Sequence, residues 1–132
     1  MRKLLAAFAL LATLCLNLPA HAAGLGELIV HSALGQPLEA KVEITGLRGK
    51  EFESLTVSSA TPELFKQRGL NYTSIARNLR YTPVKREDGS AYLRITSIDA
   101  INEPSVDLLI DFAWPGGRLL QKYSLVLDLP LR

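Results

Sequence analysis

The 132-residue sequence holds one cysteine and two histidines, and Cys15 and His21 both lie in an amino-terminal stretch that reads as a leader. Beyond residue 22 there is no cysteine, so no disulfide framework can supplement the core. His31 is the sole histidine after that point. A His/Cys metal site is therefore excluded, as is any Cys–His or Ser–His dyad not built on His31. Helical periodicity is scarce, and no polybasic cluster or amphipathic helix suggests attachment to a membrane surface. Internal repeats, low-complexity tracts and interdomain linkers are also lacking.

The leader is "MRKLLAAFALLATLCLNLPAHA". Arg2 and Lys3 precede an apolar run from Leu4 to Leu16, a turn-like Asn17 to Pro19, and the small-x-small site Ala20-His21-Ala22. That order is a secretory signal peptide with cleavage expected after Ala22. The run of about 13 apolar residues is shorter than the roughly 20 of a spanning helix. Leu14 stands where lipoprotein processing at Cys15 would want a small residue. Fifteen basic residues less Arg2 and Lys3 leave 13, against 13 acidic. The mature chain is thus neutral and has no positive field for nucleic acid. Residues 23–132 suffice for one hydrophobic core but not two. The expectation is one exported, periplasmic domain without a membrane anchor after cleavage.

From Gly24 onward the apolar residues recur with period two. "LEAKVEI" sets Leu38, Ala40, Val42 and Ile44 on one face and Glu39, Lys41 and Glu43 on the other, which predicts a half-buried strand. "ELIVHS" before it and "SLTVSSA" after it predict two more. The one helix candidate is "TPELFKQRG", with Thr61 as cap, Pro62 in the first turn and Gly69 ending it. Its Leu64 and Phe65 are expected over an end of the core.

Two hairpins follow. In "LRYTPVKREDGSAYLRI", Leu79, Tyr81 and Pro83 are set across from Ser97, Ile95 and Leu93, leaving the loop Glu87-Asp88-Gly89 with Gly89 at positive φ. Pro83 donates no hydrogen bond, so its strand is expected at an edge or bulged. In "VDLLIDFAWPGGRLLQKYSLVLD", Gly116 and Gly117 are taken as the two central turn residues, both at positive φ. That register pairs Trp114 with Leu119, Ile110 with Tyr123 and Asp111 with Lys122. About seven short strands with turn signals between them indicate an all-β fold, an antiparallel β-sandwich of immunoglobulin-like architecture with one short helix.

Chemistry is sparse in this pattern. His31 sits at a strand end and reads as a partly exposed histidine before it reads as a base. Asp107 and Asp111, about 13 Å apart along one strand, read as the solvent face of the last hairpin, and Glu87-Asp88 as a solvated tip. No spacing matches a calcium loop, and the Gly-Gly turn precedes a strand rather than a phosphate-binding helix. Catalytic residues, metal and cofactor are expected to be none. Three loops are candidates for interaction. Leu34, Gly35, Gln36 and Pro37 form the first. Asn102, Glu103 and Pro104 form the second, where Asn102 can initiate a turn. Trp114, Pro115, Gly116, Gly117 and Arg118 form the third. There Trp114 continues the core face, and Arg118 can make a cation–π contact with it.

The segments "GELIVHSALGQPLEAKVEI", "TPELFKQRGLNY", "REDGSAYLRITS" and "INEPSVDLLIDFAWPGGRLLQKYSLVLD" together closely resemble the amino-terminal periplasmic domain of the FimV family. SALGQPL and NEP…WPGGRL are the most specific parts. The resemblance implies a scaffold linked to type IV pili, related secretion machinery and cell-pole organisation. It also implies a longer protein with a peptidoglycan-binding LysM module, a transmembrane helix and tetratricopeptide repeats, none of which is seen in this sequence. The expected function is therefore a non-enzymatic, free periplasmic interaction domain whose partners are envelope proteins of a pilus or secretion assembly. A chaperone-like or structural sandwich with an unrelated partner is the alternative; an enzyme has little to support it.

Overall fold

Seven strands form where the apolar residues alternate, and they divide between two antiparallel sheets. The computed structural model describes residues 23–130; the leader, its cleavage point and Cys15 lie outside the described residues. The first sheet has the order β1-β2-β5-β4, built from β1 (Gly24–Val30), β2 (Pro37–Thr45), β4 (Arg80–Lys85) and β5 (Ala91–Ala100). The second has the order β3-β6-β7, from β3 (Thr56–Ser59), β6 (Ser105–Trp114) and β7 (Gly117–Val126). The chain crosses between sheets after β2, β3 and β5, giving the sandwich that the strand spacing predicted.

The core is the space between the inner faces. Leu38, Ala40, Val42 and Ile44 of β2 are buried, with Leu93 and Ile95 of β5, Val106, Leu108, Ile110 and Phe112 of β6, and Leu125 of β7. Among the described residues no polar or charged residue is buried as a whole. Among the described residues the Tyr81 hydroxyl alone is an enclosed side-chain polar atom without a hydrogen-bond partner, and burial pushes its phenol up from its ordinary range. On one side the sheets are tied by Tyr123, whose hydroxyl donates to the Gly26 carbonyl at 2.5 Å. A β-bulge between Leu25 and Leu28 lies at that point of β1.

The hairpin of β4 and β5 has the expected register. Tyr81 faces Ile95, Pro83 faces Leu93, and Gly89 takes φ 89°. Pro83 lies on an edge strand, where a missing N–H leaves no ladder bond unmade. The expected helix is α1 (Pro62–Gln67). The Thr61 hydroxyl accepts from the Leu64 N–H at 3.4 Å, and Phe65 is fully buried against Tyr72, ring centroids 5.0 Å apart.

Two features correct the sequence reading. A second short helix, α2 (Ser74–Arg77), and a 3₁₀ turn (Glu51–Ser54) accompany the one helix expected. Both are too short to show a periodic signal. The outward face of β6 is also not simply solvated. Leu109, between Asp107 and Asp111, is fully buried, because the connector from β3 to β4 crosses there. Ala60 N–H donates to the Leu109 carbonyl at 2.8 Å, Asn71 N–H donates to Asp107 Oδ2 at 3.4 Å, and α2 packs against β6.

The outer face of the first sheet is a charged ladder. Arg94 bonds Glu39 through two contacts of 2.7 and 3.0 Å. Arg86 bonds Glu43 at 2.6 and 2.8 Å and stacks over the Tyr92 ring at 4.5 Å. These arginine hydrogen bonds hold both carboxyls below their ordinary value of 4.5, against a smaller opposing effect of burial.

Leu109→Ala is expected to cost about 2–5 kcal/mol, measured by urea denaturation, whereas Leu120→Ala, on a half-buried site, costs less. A depressed carboxylate pKa stabilises the fold above the unfolded value and loses that contribution as pH falls through the folded one. Stability should therefore decline as pH drops below about 4.5. Because both pairs are solvent-screened, the decline should be shallow. In the Glu39→Gln, Glu43→Gln double variant, the acid-induced loss of Tm should be smaller.

Candidate functional site

The three loops singled out in the sequence lie at two different ends of the sandwich. Residues 34–37 lead into β2 and include its first residue, and residues 102–104 join β5 to β6, so both sit where β6 begins; residues 114–118 sit where β6 ends. Ten residues of β6 separate the two ends, about 30 Å at strand rise.

At the first end, three segments are knitted together by their own backbones. Leu34 N–H donates to the Asp128 carbonyl at 2.8 Å, Gly35 N–H to Ile101 at 2.7 Å, Ile101 N–H to Gln36 at 3.0 Å, and Leu127 N–H to Pro104 at 2.9 Å. Gly35 takes φ 85°, a conformation that side chains other than glycine's adopt at a cost. Gln36 Oε1 accepts from Ala33 N–H at 2.8 Å, and Ser32 Oγ accepts from Glu39 N–H at 2.9 Å. The SALGQPL pattern thus encodes a self-supporting loop. Its backbone groups are largely used internally, while the side chains of Gln36, Pro37, Asn102, Glu103 and Pro104 remain exposed. A shallow recess beside it is lined by His31, Gln36 and Leu129 among others, and Leu129 is 75% exposed.

The opposite end differs from the sequence reading in register. Trp114 pairs with Gly117, Phe112 with Leu119, Ile110 with Gln121 and Asp111 with Leu120. The two central turn residues are therefore Pro115 and Gly116, not Gly116 and Gly117, and neither glycine has positive φ. A shift of two residues keeps every side chain on its face, so hydrophobic alternation does not distinguish the two pairings. Proline's preset φ selects the first central position. The glycines are there for proximity instead. A Cβ on Gly116 would lie 2.8 Å from Trp114 Nε1, and one on Gly117 would lie 3.1 Å from Trp114 Cζ2. The indole folds back over its own turn and packs tilted on Phe112, centroids 5.6 Å apart. Arg118 makes no cation–π contact with it. Its Nε donates to Asp111 Oδ1 at 2.8 Å and its Nη2 to Asp111 Oδ2, a two-pronged pair that replaces the expected Asp111–Lys122 contact.

Between β5 and α2 lies a feature that the sequence reading passed over. Pro37 faces Ala100 and Glu39 faces Thr96, so β5 carries two extra residues within Ser97–Asp99. Ser97 Oγ staples this bulge, accepting from Leu38 N–H and donating to the Asp99 carbonyl, both at 2.7 Å. Ile98 is thereby extruded and is 73% exposed. It borders a groove of about 550 Å³ whose other walls include Ile75, Asn78, Arg80 and Ile101. The signal was the apolar spacing in "ITSIDAI", where isoleucine recurs every third residue and period two lapses.

Neither end assembles a reactive constellation. His31 is exposed and lies near Glu39, which is engaged by Arg94. Among the described residues no group of three or more His, Cys, Asp or Glu is placed to hold a metal ion, and no helix is long and apolar enough to cross a membrane. The arrangement presents shaped loops, strand edges and one groove.

Residues 23–130 match the family described as the FimV N-terminal domain, an Ig-like domain. The chain is 38% identical over 112 residues to the motility hub protein FimV of Pseudomonas aeruginosa strain PAO1, and equally to that of strain UCBPP-PA14. The alignment covers 85% of this chain and 12% of each relative, so the chain spans about an eighth of their length. No solved structure matches it.

Gly116→Ala is expected to destabilise the fold by about 1–3 kcal/mol, as overpacking does. Much of that cost should vanish in a Trp114→Ala background, a coupling that a double-mutant cycle of urea midpoints would read.

Proposed function

The chain belongs to the FimV N-terminal domain family, and on that premise we propose that it is a non-enzymatic periplasmic protein-interaction domain acting in the assembly of type IV pili or a related secretion complex. The observation that carries this reading is the first end of the sandwich. Its loops spend their backbone hydrogen bonds on one another and turn exposed side chains outward. Such a surface is ordered before a partner arrives, so little conformational entropy is lost on docking. The motility hub role named for the Pseudomonas relatives supports a motility-linked partner. The partners are envelope proteins of that assembly, and Gln36, Asn102 and Glu103 are the side chains that contact them. The Trp114 hairpin takes the structural part, because its indole and arginine are committed to the turn and to Asp111.

Chemical crosslinking in intact cells, followed by mass spectrometry, tests this. Wild type should capture pilus or secretion-complex components above a control exported domain. A Gln36→Glu, Asn102→Ala, Glu103→Ala variant, which keeps an acceptor oxygen at position 36 for Ala33 N–H, should lose most of that capture while keeping its Tm. Arg118→Ala should retain it. Equal capture by wild type and the triple variant would remove the reading.

A further inference from the structure

We propose that the free edge of β5 over Ser97–Ala100 is a docking site for an extended polypeptide segment of a partner, which adds there as a short strand. This rests on the protein-interaction reading and specifies its mode.

β5 outruns its neighbour. The β4 pairing ends at Arg80 opposite Thr96, and the chain before Arg80 turns away into α2, while β5 continues to Ala100. Ile101 N–H donates to Gln36 and its carbonyl accepts from Gly35, so both polar groups of Ile101 face the β2 side. Backbone groups alternate along a strand. Those of Ala100 therefore face the other way, into the groove that β4 has vacated. An unpaired strand edge is a template for another strand, and side-chain pockets alongside it supply selectivity in this mode of recognition.

The groove has the size and lining for such an occupant. Its volume, about 550 Å³, falls within the roughly 300–1,000 Å³ of ligand sites. Ile98, held out by the Ser97-stapled bulge, and Ile75 give it an apolar floor. Holding an apolar side chain in solvent forgoes the burial that would stabilise the isolated chain. Arg80 and Asp99 also line it, and among the described residues neither makes an ion pair. Arg80 stands on β4 opposite Thr96, which precedes Asp99 by three residues on β5, and the two charges are opposite. The complementary segment is an extended stretch with an apolar residue between an acidic residue, set against Arg80, and a basic one, set against Asp99. Other edges suit the role less. β3 has four residues, β4 carries Pro83, and β1 and β7 face each other through Tyr123 and Gly26.

The test uses the chain exported from its own leader and a phage-displayed library of random linear peptides as the probe. Peptides enriched on the wild type should bind the Ile98→Arg variant at least about tenfold more weakly, at unchanged Tm. They should also slow hydrogen exchange at the Ala100 amide, and they should show the acidic–apolar–basic order. Arg80→Glu should weaken binding and shift the selected sequences toward a basic residue at the first position. Enrichment no better on wild type than on Ile98→Arg, or protection at Gly117–Val126 in place of Ala100, would overturn the proposal. So would self-association of the chain abolished by Ile98→Arg, which would make the occupant a second copy. If such a negative result accompanies capture of pilus components through Gln36, Asn102 and Glu103, this inference alone falls. If that capture fails as well, the underlying reading falls with it.

Discussion

The burial of β6 on both faces is the constraint from which most of this architecture follows. Inward, Val106, Leu108, Ile110 and Phe112 meet the apolar face of the first sheet; outward, Leu109 must also be covered. The lone cysteine forbids an intrachain disulfide, and among the described residues no whole polar residue is buried to orient the sheets. Apolar area removed from water is left as the main cohesive term. Covering Leu109 requires the connector between β3 and β4 to run across the second sheet. α1 and α2 lie in that connector, with Phe65 and Ala76 as its buried anchors.

The same detour shapes the surface. Because the connector ends in α2 beside β6, the chain enters β4 only at Arg80, and the last residues of β5 are left without a neighbour on that side. Ser97 converts the mismatch with β2 into a defined bulge rather than a frayed end. Structural economy at β6 and an open edge at β5 are thus two consequences of one route. The groove adjoins the self-bonded loops through Ile101, which bonds Gly35 and Gln36 and also lines the groove. Loop surface and strand edge therefore form one continuous region at one end of the fold.

The two ends are rigid for different reasons. At the first, backbone groups of three segments satisfy one another, so order is imposed by hydrogen bonds across distant parts of the chain. At the second, Trp114 lies on its own glycines and Arg118 grips Asp111, so order is local. A partner meeting the first end finds exposed side chains on a fixed backbone. A partner meeting the second would have to displace contacts that already hold the hairpin.

Much of this was legible in the sequence. The faces of β2, β5 and β6, the cap and stop of α1, the loop at Gly89 and the edge position of Pro83 all follow from local rules of alternation, capping and turn geometry. The family resemblance, carried by SALGQPL and NEP…WPGGRL, agrees with the match over residues 23–130. By itself, then, the sequence determined the class of fold, which side of the core strands faces inward, and the exclusion of an intrachain disulfide, because each depends on residue type and number or on a period of two. Only the tertiary structure decided the turn at Pro115-Gly116, the cover over Leu109, the separation of the candidate loops and the extrusion of Ile98. A two-residue slip leaves alternation unchanged, and burial of an outward residue or a bulge depends on what distant segments bring against it. Such contacts leave no periodic trace in the residues that make them.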